Sequence, residues 1–226
     1  MNPLFFIHVT KTAGGTIKKM LREGDLNIQF HYPGEHGFSK DFSYSDDFDA
    51  IYGHYRFGAH EIMGVDPNYA CFVGNPFSRT VSHFYHLQNV AKNAAGDKAR
   101  QFGDIGSFLS NTKSMDLDNL QTRMISGIGR DIGYQKLDQL AADLAIDNLR
   151  RHFRFIGVFE DLASSIDRLN ALLPGLKGSL APHVNKGSYG DGLSEESIEL
   201  INLHNSLDMQ VYDEAVRLSK SVSSGI

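Results

Sequence analysis

Three short apolar runs constrain this chain more than any other feature: residues 4–9 (LFFIHV), 69–74 (YACFVG) and 153–158 (FRFIGV). Each has the length of a strand, is rich in β-branched and aromatic residues, and stops at turn chemistry. Apolar residues at helical spacing follow each run. They are Ile17, Met20 and Leu21 after the first, Val81, Phe84, Tyr85 and Leu87 after the second, and residues 162–173 after the third. Strands alternating with helices predict an α/β fold on a parallel sheet, in which ligands bind where the loops leave the carboxyl ends of the strands. Residues 10–16 and 74–79 are two such loops, and the order of elements allows them one crevice.

Weaker signals fill the intervals. Residues 24–49 read as an irregular excursion and 50–52 as a short extended piece. Asn75-Pro76 opens a helix over 78–91, because proline suits a first helical turn. Residues 92–103 read as polar chain outside any element. Helices are expected over 104–110, 116–126 and 135–150, and a Gly- and Pro-rich stretch over 174–193. A last helix starts from Ser194 as N-cap.

Composition narrows the partners. The 226 residues suit one domain, residues 1–226, with 41% apolar and 22% charged residues. A formal charge of -5, from 22 Lys and Arg against 27 Asp and Glu, argues against a surface built to bind nucleic acid. No apolar run approaches the ~18 residues of a membrane span and no signal segment is recognisable, so a soluble cytoplasmic protein is expected. The single cysteine, Cys71, has no internal partner and reads as a small core residue; no Cys/His spacing suggests a metal.

The first strand ends in Lys11-Thr-Ala-Gly-Gly-Thr16 before a helix. Glycines let backbone approach an anion, and the next helix adds unpaired N–H groups and the positive end of its dipole. Thr12 and Thr16 add hydroxyl donors and Lys11 a full charge. The lysine precedes the glycines, whereas GxxxxGK[ST] places it after them, and no GxGxxG follows the strand. The loop therefore points to a phosphate-like group other than ATP or NAD.

IHVTKTAGGT at 7–16 resembles the H-I-P-K-T-[AG]-G-[GT]-[ST] segment of carbohydrate sulfotransferases. That group contains heparan sulfate 2-O-sulfotransferase and bacterial relatives, and uses 3′-phosphoadenosine 5′-phosphosulfate (PAPS). The resemblance implies a P-loop-like three-layer fold with a central, mainly parallel sheet flanked by helices. It also implies that Lys11, Thr12, Ala13, Gly14, Gly15, Thr16 and Ile17 hold the 5′-phosphosulfate, with Lys11 at the oxygen bridging phosphorus to sulfur. GHYRFG at 53–58 resembles G-H-x-x-[FY]-G, which makes His54 the base. NPFSRTVSHFYH at 75–86 resembles R-D-P-x-x-R-x-x-S-x-[YF], which puts Arg79 and Ser82 on the 3′-phosphate. NLQTRMISG (119–127), FRFIGVFEDLASSIDRL (153–169), NKG (185–187, with Lys186 as a clamp over the nucleotide) and Asn205, Asp208 and Tyr212 extend the likeness over nearly the full chain.

Two positions depart from the pattern. Thr10 replaces a proline, and Gly74 stands where the family has the arginine of R-D-P. The loss of one charged hydrogen-bonding partner costs ~1.5–3 kcal/mol, roughly ten- to over a hundredfold in affinity.

Read from chemistry alone, His54 suits general-base work because an ordinary imidazole, with a pKa of ~6.5, is neutral near pH 7. Lys11 would offset charge on a leaving phosphate. Arg79 and Ser82, three apart on one helix, share a face. Arg56, His60 and Arg123 are the candidate acceptor contacts. His8 reads as a core histidine, and Arg150, Arg151, His152 and Arg154 as cations at a helix end. Aromatic residues between Phe30 and Phe57 suit either a sugar platform or a core. Three functions stay open on this reading. They are a PAPS-dependent sulfotransferase that releases PAP, the 3′,5′-bisphosphate, after sulfating a carbohydrate-type hydroxyl; a noncatalytic PAP- or PAPS-binding relative; and a small-molecule kinase with a variant phosphate loop.

Overall fold

The structure, a computed structural model, describes residues 2–31, 48–177 and 192–221. In chain order the elements are β1 (Leu4–Ile7), α1 (Gly14–Glu23), β2 (Ile28–His31), β3 (Ala50–Gly53), α2 (Ala59–Met63), β4 (Tyr69–Val73), α3 (Pro76–Asn89), α4 (Ala94–Phe102) and α5 (Ile105–Asn111). A 3-10 turn over Met115–Leu117 leads to α6 (Leu120–Ser126), α7 (Gln139–His152) and β5 (Phe153–Val158). A second 3-10 turn, Phe159–Asp161, leads to α8 (Leu162–Leu172); α9 (Glu195–His204) and α10 (Ser206–Ser221) complete the described chain.

The five strands form one sheet in the order β2-β3-β1-β4-β5, with every neighbouring pair parallel. Side chains alternate along β1 and so feed two cores. Phe5, Ile7 and Val9 pack with α6, α7 and α10 on one face, while Leu4 and Phe6 pack with α1 and α8 on the other. Both faces are thus covered, as parallel sheets require. A third cluster, built from α3, α4, α5 and α9 around Phe84, Phe108 and Ile201, lies beside these cores.

The helix signals hold where they were strongest. The Asn75 side chain accepts from the Ser78 amide with Pro76 in the first turn, and the Ser194 hydroxyl accepts from the Ser197 amide. Three expectations need correction. Residues 28–31 form an edge strand, held by pairing with β3. Residues 94–102 form α4, capped by Asn93 and closed at Gly103, which adopts φ +77°. The expected 116–126 helix divides at Asn119, which adopts φ +48°. There the Asp208 carboxylate accepts from the Gln121 and Thr122 amides and so caps α6 from another helix. Cys71 is fully buried, and its thiol pKa is raised by burial. Among the described residues no helix is long and apolar enough to cross a membrane.

Candidate functional site

The site forms at the carboxyl ends of β1, β3 and β4. After β1 the Thr12 hydroxyl donates to the Val9 carbonyl at 2.8 Å and closes the turn. Lys11 and Ala13 take left-handed backbone angles, φ +69° and +64°. Non-glycine residues hold that conformation at a cost of about 1–3 kcal/mol each, and such strain clusters at ligand-binding turns. Ala13 is the N-cap of α1 and makes no side-chain capping bond. Left-handed Ala13 followed by helical Gly14 turns successive N–H groups to one side, the backbone form in which such groups can meet an anion.

The two glycines differ in their surroundings. A Cβ on Gly14 would lie 1.5 Å from His8 Nε2, whereas a Cβ on Gly15 meets nothing within 4 Å. Gly14 is therefore small because the His8 ring rests on it, and its carbonyl accepts from the Tyr52 hydroxyl at 2.8 Å.

Sheet register brings His54 to the same place. Ile7 pairs with Gly53 across β1 and β3, so the residues that follow, His8 and His54, are neighbours. Their ring centroids lie 4.2 Å apart, and Tyr52 also stacks on His8, at 5.2 Å. Burial, then the fields of His54 and Lys18, push the His8 pKa down to about 3. Burial also lowers that of His54, against the upward pull of a hydrogen bond to the His8 backbone and of Asp116. Both rings are neutral near pH 7. His8, expected in the core, instead bridges His54 to the anion loop.

The loop after β4 joins this crevice as expected: a Cβ on Gly74 would lie 3.3 Å from Thr12 Cγ2 and 3.8 Å from Glu160 Oε1. The Gln121 side chain holds Gly74 through a reciprocal pair, accepting from its amide at 3.0 Å and donating to its carbonyl at 2.9 Å. Glu160 accepts from the Asn75 amide and from the Tyr212 hydroxyl. The position that carries an arginine in the resembled family therefore sits beside a carboxylate.

Arg79 differs from the expected open phosphate grip. Its guanidinium is buried, with both terminal nitrogens donating to the Asp116 carbonyl at 3.2 Å and one also to Thr80 Oγ1 at 3.1 Å. Burial lowers its pKa, opposed by Asp208 and Asp116. Ser82 is half-buried on the same face of α3.

The candidate acceptor contacts scatter. Arg56 donates to the Ile128 carbonyl and pairs with Asp131. Arg123 is buried, and its five N–H groups go to the Asp118 carboxylate and to the carbonyls of Asp118, Gly129, Ile132 and Gly133. It holds the turn after α6 and has no donor left for an acceptor. His60 pairs with the Tyr69 hydroxyl at 2.8 Å, at the amino end of β4 and so at the far end of the sheet from the loop. Asn205 is likewise structural, bonding Thr80 and the Leu117 and Ile201 carbonyls. Arg150 and Arg151 pair with Glu214 and Asp147, in keeping with a structural role at the end of α7. Lys186 and the aromatic residues Tyr32, Phe38, Phe42 and Tyr44 lie outside the described residues.

One group that the sequence reading did not assign also acts on the crevice. Asp116, from the first 3-10 turn, acts electrostatically on His54 and His83. Lys11 acts on both His83 and His86. Only chain reversal through α4 and α5 brings Asp116 here, so local sequence carries no sign of it. Comparison with family models and with curated proteins found no match for this chain.

Proposed function

We propose that this protein is a sulfotransferase that moves a sulfuryl group from PAPS to a hydroxyl of a carbohydrate-type acceptor. The observation that carries the reading is the His54–His8–Gly14 stack. It sets a neutral imidazole 4.2 Å from a ring that rests on the anion loop. A proton acceptor, a lysine and an uncapped helix N-terminus at one strand-end crevice are what sulfuryl transfer asks of a protein.

In this mechanism the acceptor oxygen attacks sulfur in line with the phosphate it displaces. His54 takes the hydroxyl proton as the oxygen–sulfur bond forms. The bond from sulfur to the bridging oxygen breaks, and Lys11 with the amides of residues 14–16 offsets the charge gathering on the PAP phosphate. His8, held neutral, orients His54 through ring contact and its own backbone.

One observation favours a second reading, a noncatalytic or weakened PAP binder. Gly74 offers no cation, Glu160 lies nearby, and the Arg79 fork closes on a backbone carbonyl. Titration with PAP followed by incubation with sulfur-labelled PAPS and a set of mono- and oligosaccharides separates the readings. The expected result is PAP binding, labelled sugar, and a loss of roughly 10²–10⁴ in turnover for His54→Ala with PAP affinity retained. Binding without transfer supports the second reading. Failure of the native protein to bind PAP removes both, and unchanged turnover in His54→Ala removes the base.

A further inference from the structure

We propose that His83 is a further binding residue of this site, donating an imidazole N–H to the anionic group that Lys11 and the loop of residues 10–16 hold. The proposal rests on the anion-binding reading of that loop. His83 is 7% exposed, and both of its ring nitrogens are buried with no hydrogen-bond partner among the described residues. Roughly 90% or more of buried polar groups in folded proteins are paired, so an imidazole unmet at both nitrogens needs a reason.

α3 sends Val81, Phe84 and Leu87 into the third apolar cluster, and burial among such side chains offers an imidazole nitrogen no partner. Helical spacing sets His83 on one face with Arg79 and His86, whose ring centroid is 6.4 Å away. The charged and titratable groups that act on His83 are Arg79, Asp116, His86 and Lys11. Asp116 is already paired with Arg130 at 3.1 Å, so it is not a reserved partner for the ring. Burial first, and then the fields of Arg79, His86 and Lys11 against that of Asp116, keep the imidazole neutral. A neutral ring among cations can donate to an oxyanion without adding charge to the apo site. Lys11, the charge that the phosphate loop itself presents, is among the groups whose field reaches the ring.

The test combines PAP calorimetry with imidazole nitrogen NMR of the full chain under added inorganic phosphate, using His83→Leu and His83→Gln. Removing one hydrogen bond to a charged ligand should weaken PAP roughly ten- to hundredfold in His83→Leu. The same variant should melt at or above the native temperature without ligand, because no unmet nitrogen remains buried. His83→Gln keeps an N–H and should lose less affinity. Native-like PAP binding by His83→Leu overturns the proposal. So does a fall in melting temperature that parallels the loss of affinity in both variants, since that marks a structural residue. If the native protein binds no PAP but binds phosphate with a His83-dependent response, the nucleotide reading falls and His83 stands. If it binds neither, both fall.

Discussion

Gly14→Ala and Gly15→Ala should have opposite effects on stability, although the residues are adjacent in the first turn of α1. Neither glycine has a left-handed φ, so the backbone alone accepts alanine at both. At Gly15 a Cβ meets nothing within 4 Å, and alanine gains up to about 1 kcal/mol of helix propensity. At Gly14 the Cβ would lie 1.5, 2.2 and 2.4 Å from His8 Nε2, Cε1 and Cδ2. Carbon contacts relax near ~3.5 Å, so the ring must retreat by roughly 2 Å. Its path is limited by Tyr52 at 5.2 Å and His54 at 4.2 Å between ring centroids. Overpacking of this kind costs about 1–3 kcal/mol, which lowers the melting temperature by about 2–4 °C per kcal/mol in a chain of this size. Calorimetric melts of both variants check the signs. A His8→Ala, Gly14→Ala double variant should lose less than the two single losses combined, because His8 is the atom group displaced. A Gly14→Ala protein that melts at or above native, or strict additivity in the cycle, would refute the steric account.

Arg123→Met should be among the most damaging single changes, at about 3–5 kcal/mol by denaturant melt. It removes the counter-charge of the buried Asp118 carboxylate and the side-chain donor of the Asp118, Gly129 and Ile132 carbonyls. Arg56→Ala, in a pair with 43% and 69% exposed side chains, should cost no more than about 1 kcal/mol. Acid should destabilise the chain before its carboxylates titrate. His8 is pushed down to about 3 and His83 to about 4, from 6.5, by burial first. An imidazole with a lowered folded pKa binds its proton better when unfolded. Its contribution is therefore complete above pH 6.5 and is lost as pH falls toward 4. For two such groups the loss is about 3 kcal/mol between pH 6.5 and 5, and a melting temperature that is flat over that interval would contradict it.

Much of the frame was legible because it depends on local chemistry. Short runs of mainly apolar residues rich in β-branched and aromatic side chains, each stopped by turn chemistry, suit strands of a sheet buried on both faces, and their alternation with helical repeats makes that sheet parallel. Asn75-Pro76 and Ser194 cap helices through contacts three residues away, so the sequence beside them suffices. Residues 94–102 were misread on their polarity. Yet Asn93 and Gly103 bracket them, and Arg100 reaches back to Asp97 within one turn, a signal that was available. The Ile28–His31 strand had no such signal, since only hydrogen bonds from β3 hold it extended.

Local chemistry along the chain sets the parallel α/β frame and the turn from Lys11 to Thr16 at the end of its first strand. Tertiary structure decided which side chains meet there. The β1–β3 register sets His8 against His54 and Gly14, and α3 brings His83 within the field of Lys11. It also turned Arg79, Arg56, His60 and Arg123 to partners in the protein itself. The physical reason is range. Caps, turns and periodicity act over three or four residues, whereas a buried charge or an aromatic contact is fixed by whichever distant segment reaches it first in the folded chain.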